Sequence, residues 1–299
     1  MNRKTFIHQL GLLTAGTALT PALFKWIQQN GPFYPIRNNV GYFTGRGGTM
    51  GWHISDESIV VIDSQFENSA EDFLSGIFDI ASGGPSRYLF NTHHHGDHVS
   101  GNGVFQSDHF EIIAHHNVPD LQRASAGPES KDSVIAADRV FDDEITIESG
   151  GETVTAKHYG PGHTGGDAVI WFENANIVHM GDLVFNRWYP FIDKDGGALI
   201  ENWITLLETV AKEADRDTTF IFGHGNRDFG VTGDSDDVLY MRDYLTKLLE
   251  FTRAGIDDGQ SLEEISSVNQ FEEFANHQSA GARLSLQANI EAAYEELTK

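Results

Sequence analysis

The sequence predicts an α/β fold, and three observations carry that prediction. Short apolar runs rich in β-branched and aromatic residues alternate with stretches whose apolar residues recur at helical spacing. Hydrophobic residues make up 39% of the 299-residue chain, with 20 Phe and 5 Trp, enough to bury a sizeable core. No linker-like or low-complexity stretch breaks the pattern after the N-terminus, so residues 33–299 read as one domain.

The elements follow in chain order. Residues 1–22 read as an export signal: Arg3 and Lys4 precede an apolar run, Leu10 to Phe24, that is rich in small residues and too short and polar to span a membrane. Its "NRKTFI" resembles the twin-arginine signal with Lys4 in the second basic place, and Thr20-Pro21-Ala22 offers a small-x-small cleavage site. A periplasmic or secreted location is expected, with no stable membrane insertion after cleavage. "FTGRGGTMGW" (43–52) reads as a Gly-rich loop and lacks the features of a nucleotide-binding loop. Strands are predicted at "SIVVID" (58–63), "YLFNT" (88–92), "FEIIAH" (110–115), "TVTAKHY" (153–159), "AVIWFE" (168–173), "NIVHMGD" (176–182) and "TTFIFGHG" (218–225). Helical stripes are formed by Phe73, Leu74, Ile77 and Phe78 after a capping Ser69, by Leu199, Trp203, Leu206, Leu207 and Val210, and by Leu245, Leu248, Leu249 and Thr252.

Composition narrows the function. The formal net charge is -24, no acidic residue precedes Asp56, and no basic run follows Lys4. Such a surface repels phosphate backbones and anionic lipid, so a small-molecule substrate is expected rather than a nucleic acid or a membrane. Oligomeric state is not readable from the sequence. The chain has no cysteine, which excludes disulfides, thiolate nucleophiles and Cys-ligated zinc. Any metal must be held by nitrogen and oxygen.

"FNTHHHGDHVSGN" (90–102) places four histidines and an aspartate in six consecutive positions. If the segment leaves its strand extended, His93 and His95 face the same way and reach one ion, while Gly96 permits a bend that swings Asp97 and His98 toward another point. Three further candidates stand where a strand gives way to a loop: His163 in "YGPGHTGGD", Asp182 in "VHMGDLVF" and His224 in "FIFGHGN". Asp167, close to His163, reads as a loop carboxylate. Imidazole with carboxylate suits two zinc ions. Two cations about 3.5–4 Å apart lower the pKa of a shared water from 15.7 toward roughly 7, which makes a nucleophile at neutral pH. They also polarise the attacked carbonyl.

The ordered set "HHHGDH", "GPGHTGGD", "MGDLVF" and "FGHG" closely resembles the metallo-β-lactamase superfamily over roughly residues 33 to 255. The resemblance implies a four-layer αββα sandwich with a dinuclear site on loops at one edge. It implies that His93, His95 and His163 bind a first Zn2+, that Asp97, His98 and His224 bind a second, and that Asp182 bridges them. His94 would be a non-ligand, and Asp97 would also orient the hydroxide and handle protons for the leaving group. The β-lactamase branches commonly carry Cys or Ser at the position of Asp182, and the Cys branch carries Lys where Phe185 stands. Both departures point to cleavage of an ester, thioester or lactone carbonyl. β-Lactam hydrolysis, an iron-dependent persulfide dioxygenase and a non-catalytic zinc module are the alternatives. Flavodiiron reductases have Glu where His95 stands, glyoxalase II has a basic C-terminal region where this chain is acidic, and a nuclease would need a basic groove.

Two further groups invite a substrate role. Trp188, Tyr189 and Phe191, together with Phe33, Tyr34, Tyr42, Phe43 and Trp52, are candidates for a cleft lining, with core packing as the ordinary reading. Arg187 is the nearest cation after Asp182 and either meets a substrate carboxylate or serves the surface.

Overall fold

The computed structural model describes residues 32–80 and 86–299; the expected export segment, residues 1–22, lies outside them. Seven strands form a first sheet in chain order: β1 (Phe33–Arg37), β2 (Val40–Phe43), β3 (Met50–Ile54), β4 (Ser58–Ile62), β5 (Ser86–Asn91), β6 (Glu111–His115) and β7 (Arg139–Phe141). Pairing is antiparallel from β1 to β4 and parallel from β4 to β7. The later strands are β8 (Glu144–Ser149), β9 (Glu152–Lys157), β10 (Val169–Phe172), β11 (Ile177–His179), β12 (Phe185–Asn186), β13 (Thr219–Ile221), β14 (His224–Gly225) and β15 (Thr232–Gly233). Six of them make a second sheet in the order β15-β13-β11-β10-β9-β8, while β12 and β14 pair with each other in parallel. The helices are α1 (Glu67–Ile80), α2 (Gly96–Val99), α3 (Asn102–Ser107), α4 (Val118–Ala126), α5 (Ile200–Glu213), α6 (Ser235–Asp257), α7 (Leu262–Ile265) and α8 (Leu286–Thr298).

Side-chain alternation builds four layers. Along β4, Val60 and Ile62 join Phe90, Ile113, Ile170, Phe172 and Ile177 in the core between the sheets. Ile59 and Val61 point the other way, into a second core with Phe73, Leu74 and Ile77 of α1 and Phe105 of α3. The outer face of the second sheet does the same, packing Val169, Trp171, Val178 and Phe220 against Trp203 and Leu207 of α5, Leu245 of α6 and Ile290 of α8. A strand buried on both faces reads as a continuous apolar run, which is why "SIVVI" was legible as one. The predicted αββα sandwich is the observed one.

Several local expectations are corrected. Helix α1 begins at Glu67, so Ser69 is not its cap; its hydroxyl instead accepts from Arg46 N at 2.8 Å. The two ends of the Gly-rich stretch 43–52 belong to β2 and β3. The run "TTFIFGHG" is not one strand. It leaves the sheet after Ile221, Gly223 N donates to Gly181 O at 2.7 Å, and His224 and Gly225 pair with β12. β1, β7 and β8 went unrecognised because they are largely polar or partly exposed and carry little periodic signal.

Candidate metal centre

Each predicted ligand follows the C-terminal end of a strand. His93, His95, Asp97 and His98 follow β5, His163 follows β9, Asp182 follows β11 and His224 follows β13. β9 and β11 are both antiparallel to β10, and β11 is parallel to β13, so these three point the same way. The ladder ends there, and the backbone is free to aim side chains into a common space. β5 stops at Asn91, and the bend comes where His95, extended with ψ 146, opens the short helix α2. Gly96 has no positive φ and does not supply the bend by left-handed freedom. The glycines that matter are Gly48 and Gly223, where a Cβ would overlap the His98 ring and the Asp182 carboxylate respectively.

The structure brings His93, His95, His163 and Asp182 into one group and Asp97, His98 and His224 into another, each with its ligand atoms within 4.8 Å of one another. Outer partners set the tautomers in the first group. His163 Nδ1 donates to Phe191 O at 2.7 Å, and His95 Nε2 donates to Asp193 Oδ2 at 2.7 Å. The only hydroxyl proton of Thr92 goes to Asp63 Oδ2 at 2.8 Å, so Thr92 Oγ1 must accept from His93 Nδ1 at 3.0 Å. Three bare lone pairs therefore converge: His93 Nε2 and His163 Nε2 each lie 3.0 Å from His95 Nδ1. Acceptors facing acceptors repel unless a cation stands among them. Around a tetrahedral zinc with 2.0–2.1 Å bonds, such nitrogens sit about 3.3 Å apart, so the cluster needs to open by only a few tenths of an ångström. Burial holds His163 down at about 3 and His93 well below the usual imidazole range, which keeps both neutral and able to ligate.

Asp182 joins the two groups. It sits in a turn held by Trp203 Nε1, which donates to Leu183 O at 3.0 Å. Its Oδ2 lies 3.7 Å from His163 Nε2, 3.8 Å from His93 Nε2 and 3.3 Å from His224 Nε2. Its Oδ1 is 3.0 Å from His98 Nε2, yet both atoms are buried and neither is aligned with a hydrogen-bond partner. His98 Nδ1 donates to Asp63 Oδ2 at 2.7 Å, and His224 Nε2 stands 3.1 Å from Asp97 Oδ2. An orphaned imidazole nitrogen beside an orphaned carboxylate oxygen is the donor set of a metal, so both groups fit a bound cation. Burial alone would lower His224, but Asp182 and Asp97 outweigh it and raise it to about 9. Burial would raise Asp97, but His98 and His224 hold it down at about 2.

The family model described as the metallo-beta-lactamase superfamily matches residues 46–240, well over half of the chain. The chain belongs to the metallo-beta-lactamase superfamily. A curated relative, metallo-beta-lactamase IND-1 of Chryseobacterium indologenes, is 21% identical over 198 residues, which span 64% of this chain and 80% of that protein. Among solved structures, a stereoselective inverting sec-alkylsulfatase, Pisa1 from Pseudomonas sp., is similar at TM-score 0.73 and 14% identity over 96% of this chain and 53% of that one. A metallo-beta-lactamase from Pontibacter korlensis is similar at TM-score 0.59 and 18% identity over 72% and 98% of the two chains. This chain thus spans about half the length of the alkylsulfatase it resembles. At these identities the structural likenesses speak to fold.

A cleft of about 690 Å3 opens over the two groups, lined by His95, Asp97, Asp182, His224 and three aromatic residues, Phe185, Trp188 and Phe191. Phe185 stacks on His224 with ring centroids 5.3 Å apart. Tyr189 instead packs inward beside Tyr244 and His277, and Phe33, Phe43 and Trp52 belong to the core under α1. Arg187 does not reach the cleft: it pairs with Asp237 at 2.9 Å and lies 3.7 Å over the Tyr240 ring. Asp167 is a loop carboxylate, as read, accepting from Gly162 N, Thr164 N and Thr164 Oγ1, and burial pushes it up to about 7. His94 is in neither group and lies 3.3 Å from Asp193. Asp63 and Asp193, which orient the histidines, went unremarked in the sequence. The one signal for Asp63 is that it ends an apolar strand as Asp182 does, and a φ of +62° turns it into the site.

Among the described residues, no helix is long and apolar enough to cross a membrane.

Proposed function

We propose that the chain is a two-zinc hydrolase that cleaves an ester, thioester or lactone carbonyl. The observation that carries this reading is Asp182, whose carboxylate faces both nitrogen groups where a shared charge would hold two ions together. His93, His95 and His163 would hold the first ion, Asp97, His98 and His224 the second, with Asp182 between them. Bound there, the ions would supply an acidified water as nucleophile and positive charge for the developing oxyanion. Asp97, 30% exposed at the cleft floor, is the carboxylate placed to orient that water and return a proton to the leaving group. Phe185, Trp188 and Phe191 would pack the acyl or alkyl part and exclude bulk water. Phe185, stacked on His224, fills with a ring the position where the Cys branch of the β-lactamases carries Lys, which supports a substrate other than that branch's.

Elemental analysis and a hydrolysis panel test the proposal. Close to two zinc ions per chain are expected, with a thioester, aryl ester or homoserine lactone turned over faster than a penicillin or carbapenem at one zinc concentration. A β-lactam better by roughly tenfold in kcat/KM, about 1.4 kcal/mol of transition-state preference, would overturn the substrate class. One tightly held iron and no second metal would favour the dioxygenase alternative, and two zinc ions with no turnover the non-catalytic one. Alkyl sulfates belong in the panel because the likeness to the sec-alkylsulfatase covers nearly the whole chain, beyond residue 240.

Export to the periplasm or beyond is part of the proposal and rests on Arg3, Lys4 and the apolar run behind them. Fractionation with N-terminal sequencing is expected to find a processed chain outside the cytoplasm. A cytoplasmic protein that keeps Met1 or Asn2 would count against it.

A further inference from the structure

The cleft is lined almost wholly by neutral and acidic groups: besides the metal-facing carboxylates, Asp193 and Asp195 border it. Among the described residues, the one Lys or Arg that lines it is Arg283. That residue lies outside the region matched by the family, in the segment that joins α7 to α8. The segment is fastened to the cleft wall: Gln278 N donates to Arg187 O at 3.0 Å, and Tyr189 N donates to Gln278 O at 3.1 Å. A tight turn follows, with Leu284 N donating to Gly281 O and Ala280 N donating back to Leu284 O. Arg283 extends from this turn with its guanidinium carbon 4.1 Å over the Phe191 ring. The Phe191 ring in turn packs on His95, centroids 5.3 Å apart, so a single ring separates the guanidinium from a first-group imidazole.

Arg283 is also uncommitted. It makes no ion pair among the described residues; Arg46, Lys131, Arg139, Lys212, Arg216 and Arg227 make none either, but of these unpaired cations Arg283 is the one that lines the cleft. The contact with Phe191 holds the guanidinium at the cleft by a cation–π attraction, and guanidinium nitrogens can meet an oxyanion with two parallel hydrogen bonds.

We propose that Arg283 and Phe191 form an anion subsite that selects substrates bearing a carboxylate away from the scissile carbonyl. The proposal rests on the hydrolase reading of the metal centre. Its physical basis is the field of the protein: a surface of net charge -24 disfavours anions, and a guanidinium on the cleft wall, away from the metal-facing groups, favours one that is correctly placed.

The test compares a monoaryl glutarate, which keeps a free carboxylate, with the same aryl ester after that carboxylate is methylated. For the anionic ester, Arg283→Gln is expected to raise KM roughly tenfold with kcat nearly unchanged, the worth of one charge-assisted pair. The neutral ester should change by less than about twofold. Arg283→Lys should retain part of the preference, and Arg283→Glu should reverse it. Glutarate binding to the zinc-loaded protein, followed by calorimetry, is expected to weaken in the same order. Equal effects on both esters, or equal glutarate affinity in the wild type and Arg283→Gln, would overturn the subsite and leave the hydrolase reading standing. If the wild type hydrolyses neither ester, the glutarate comparison alone decides the subsite.

Discussion

With Asp182 bridging two zinc ions as proposed, Asp182→Asn is expected to lose one of them at micromolar free zinc and to lower kcat by roughly 100-fold or more. Asp182 is almost wholly buried and, among the described residues, is the one carboxylate whose oxygens lie within 4 Å of His93, His98, His163 and His224 together. Asparagine preserves the volume beside Gly223 but removes the negative charge and offers one acceptor in place of two. Outer partners of metal ligands are worth about 10–100-fold in affinity, and a direct bridging ligand belongs at or above the upper end of that range. The fold should survive, because the packing of the sheets resides in apolar clusters that do not include Asp182. Elemental analysis after dialysis against graded zinc, with circular dichroism as the control for folding, reads the result. A variant that retains both ions and activity within about threefold of wild type would show that Asp182 does not bridge.

The second expected result is that the two groups bind metal with different pH dependence. Ligation requires neutral imidazoles, so any proton on a ligand must leave as metal enters. In the first group His93 and His163 are held low by burial and are neutral across the physiological range. In the second group burial is outweighed by carboxylates: His98 is raised well above the usual range by Asp182 and Asp63, and His224 is raised to about 9. At neutral pH His98 and His224 therefore carry protons that an entering metal must displace. Second-group affinity should rise with pH through the neutral range, about tenfold per unit for each proton displaced, whereas His93 and His163 add no such dependence to the first group. Zinc calorimetry in buffers of differing ionisation enthalpy counts the protons. Equal slopes for the first and second equivalents would refute the asymmetry.

Much of the site was legible because its signals are local. Metal ligands are restricted to a few side-chain types, and this chain has no cysteine to compete for the role. The H-x-H-x-D-H run and the residues at three strand ends therefore stood out without any knowledge of distance. The groups that tune those ligands did not. Asp193 lies 98 positions from His95, and Asp63 lies 35 from His98, in segments where an aspartate has no periodicity or spacing to mark it. Which cation reaches the cleft was not legible, for the same reason. Arg187 was the nearest in sequence to Asp182, yet Asp237 and Tyr240 hold it elsewhere, and the cation that reaches the cleft comes from a turn near the C-terminus.

The sequence by itself determined the α/β class, the strands buried on both faces and the seven residues that converge on the site, because side-chain type, apolar runs and strand ends are properties of neighbouring residues. Only the tertiary structure decided which imidazole nitrogens face inward, since that depends on whether Asp63, Thr92, Asp193 or the Phe191 carbonyl takes the outer proton. It also decided the β12 and β14 pairing, the inward turn of Tyr189 and the arrival of Arg283 at the cleft. These depend on which distant segments the packing of two sheets brings together, and the cost of closing such long loops leaves no mark in the sequence between them.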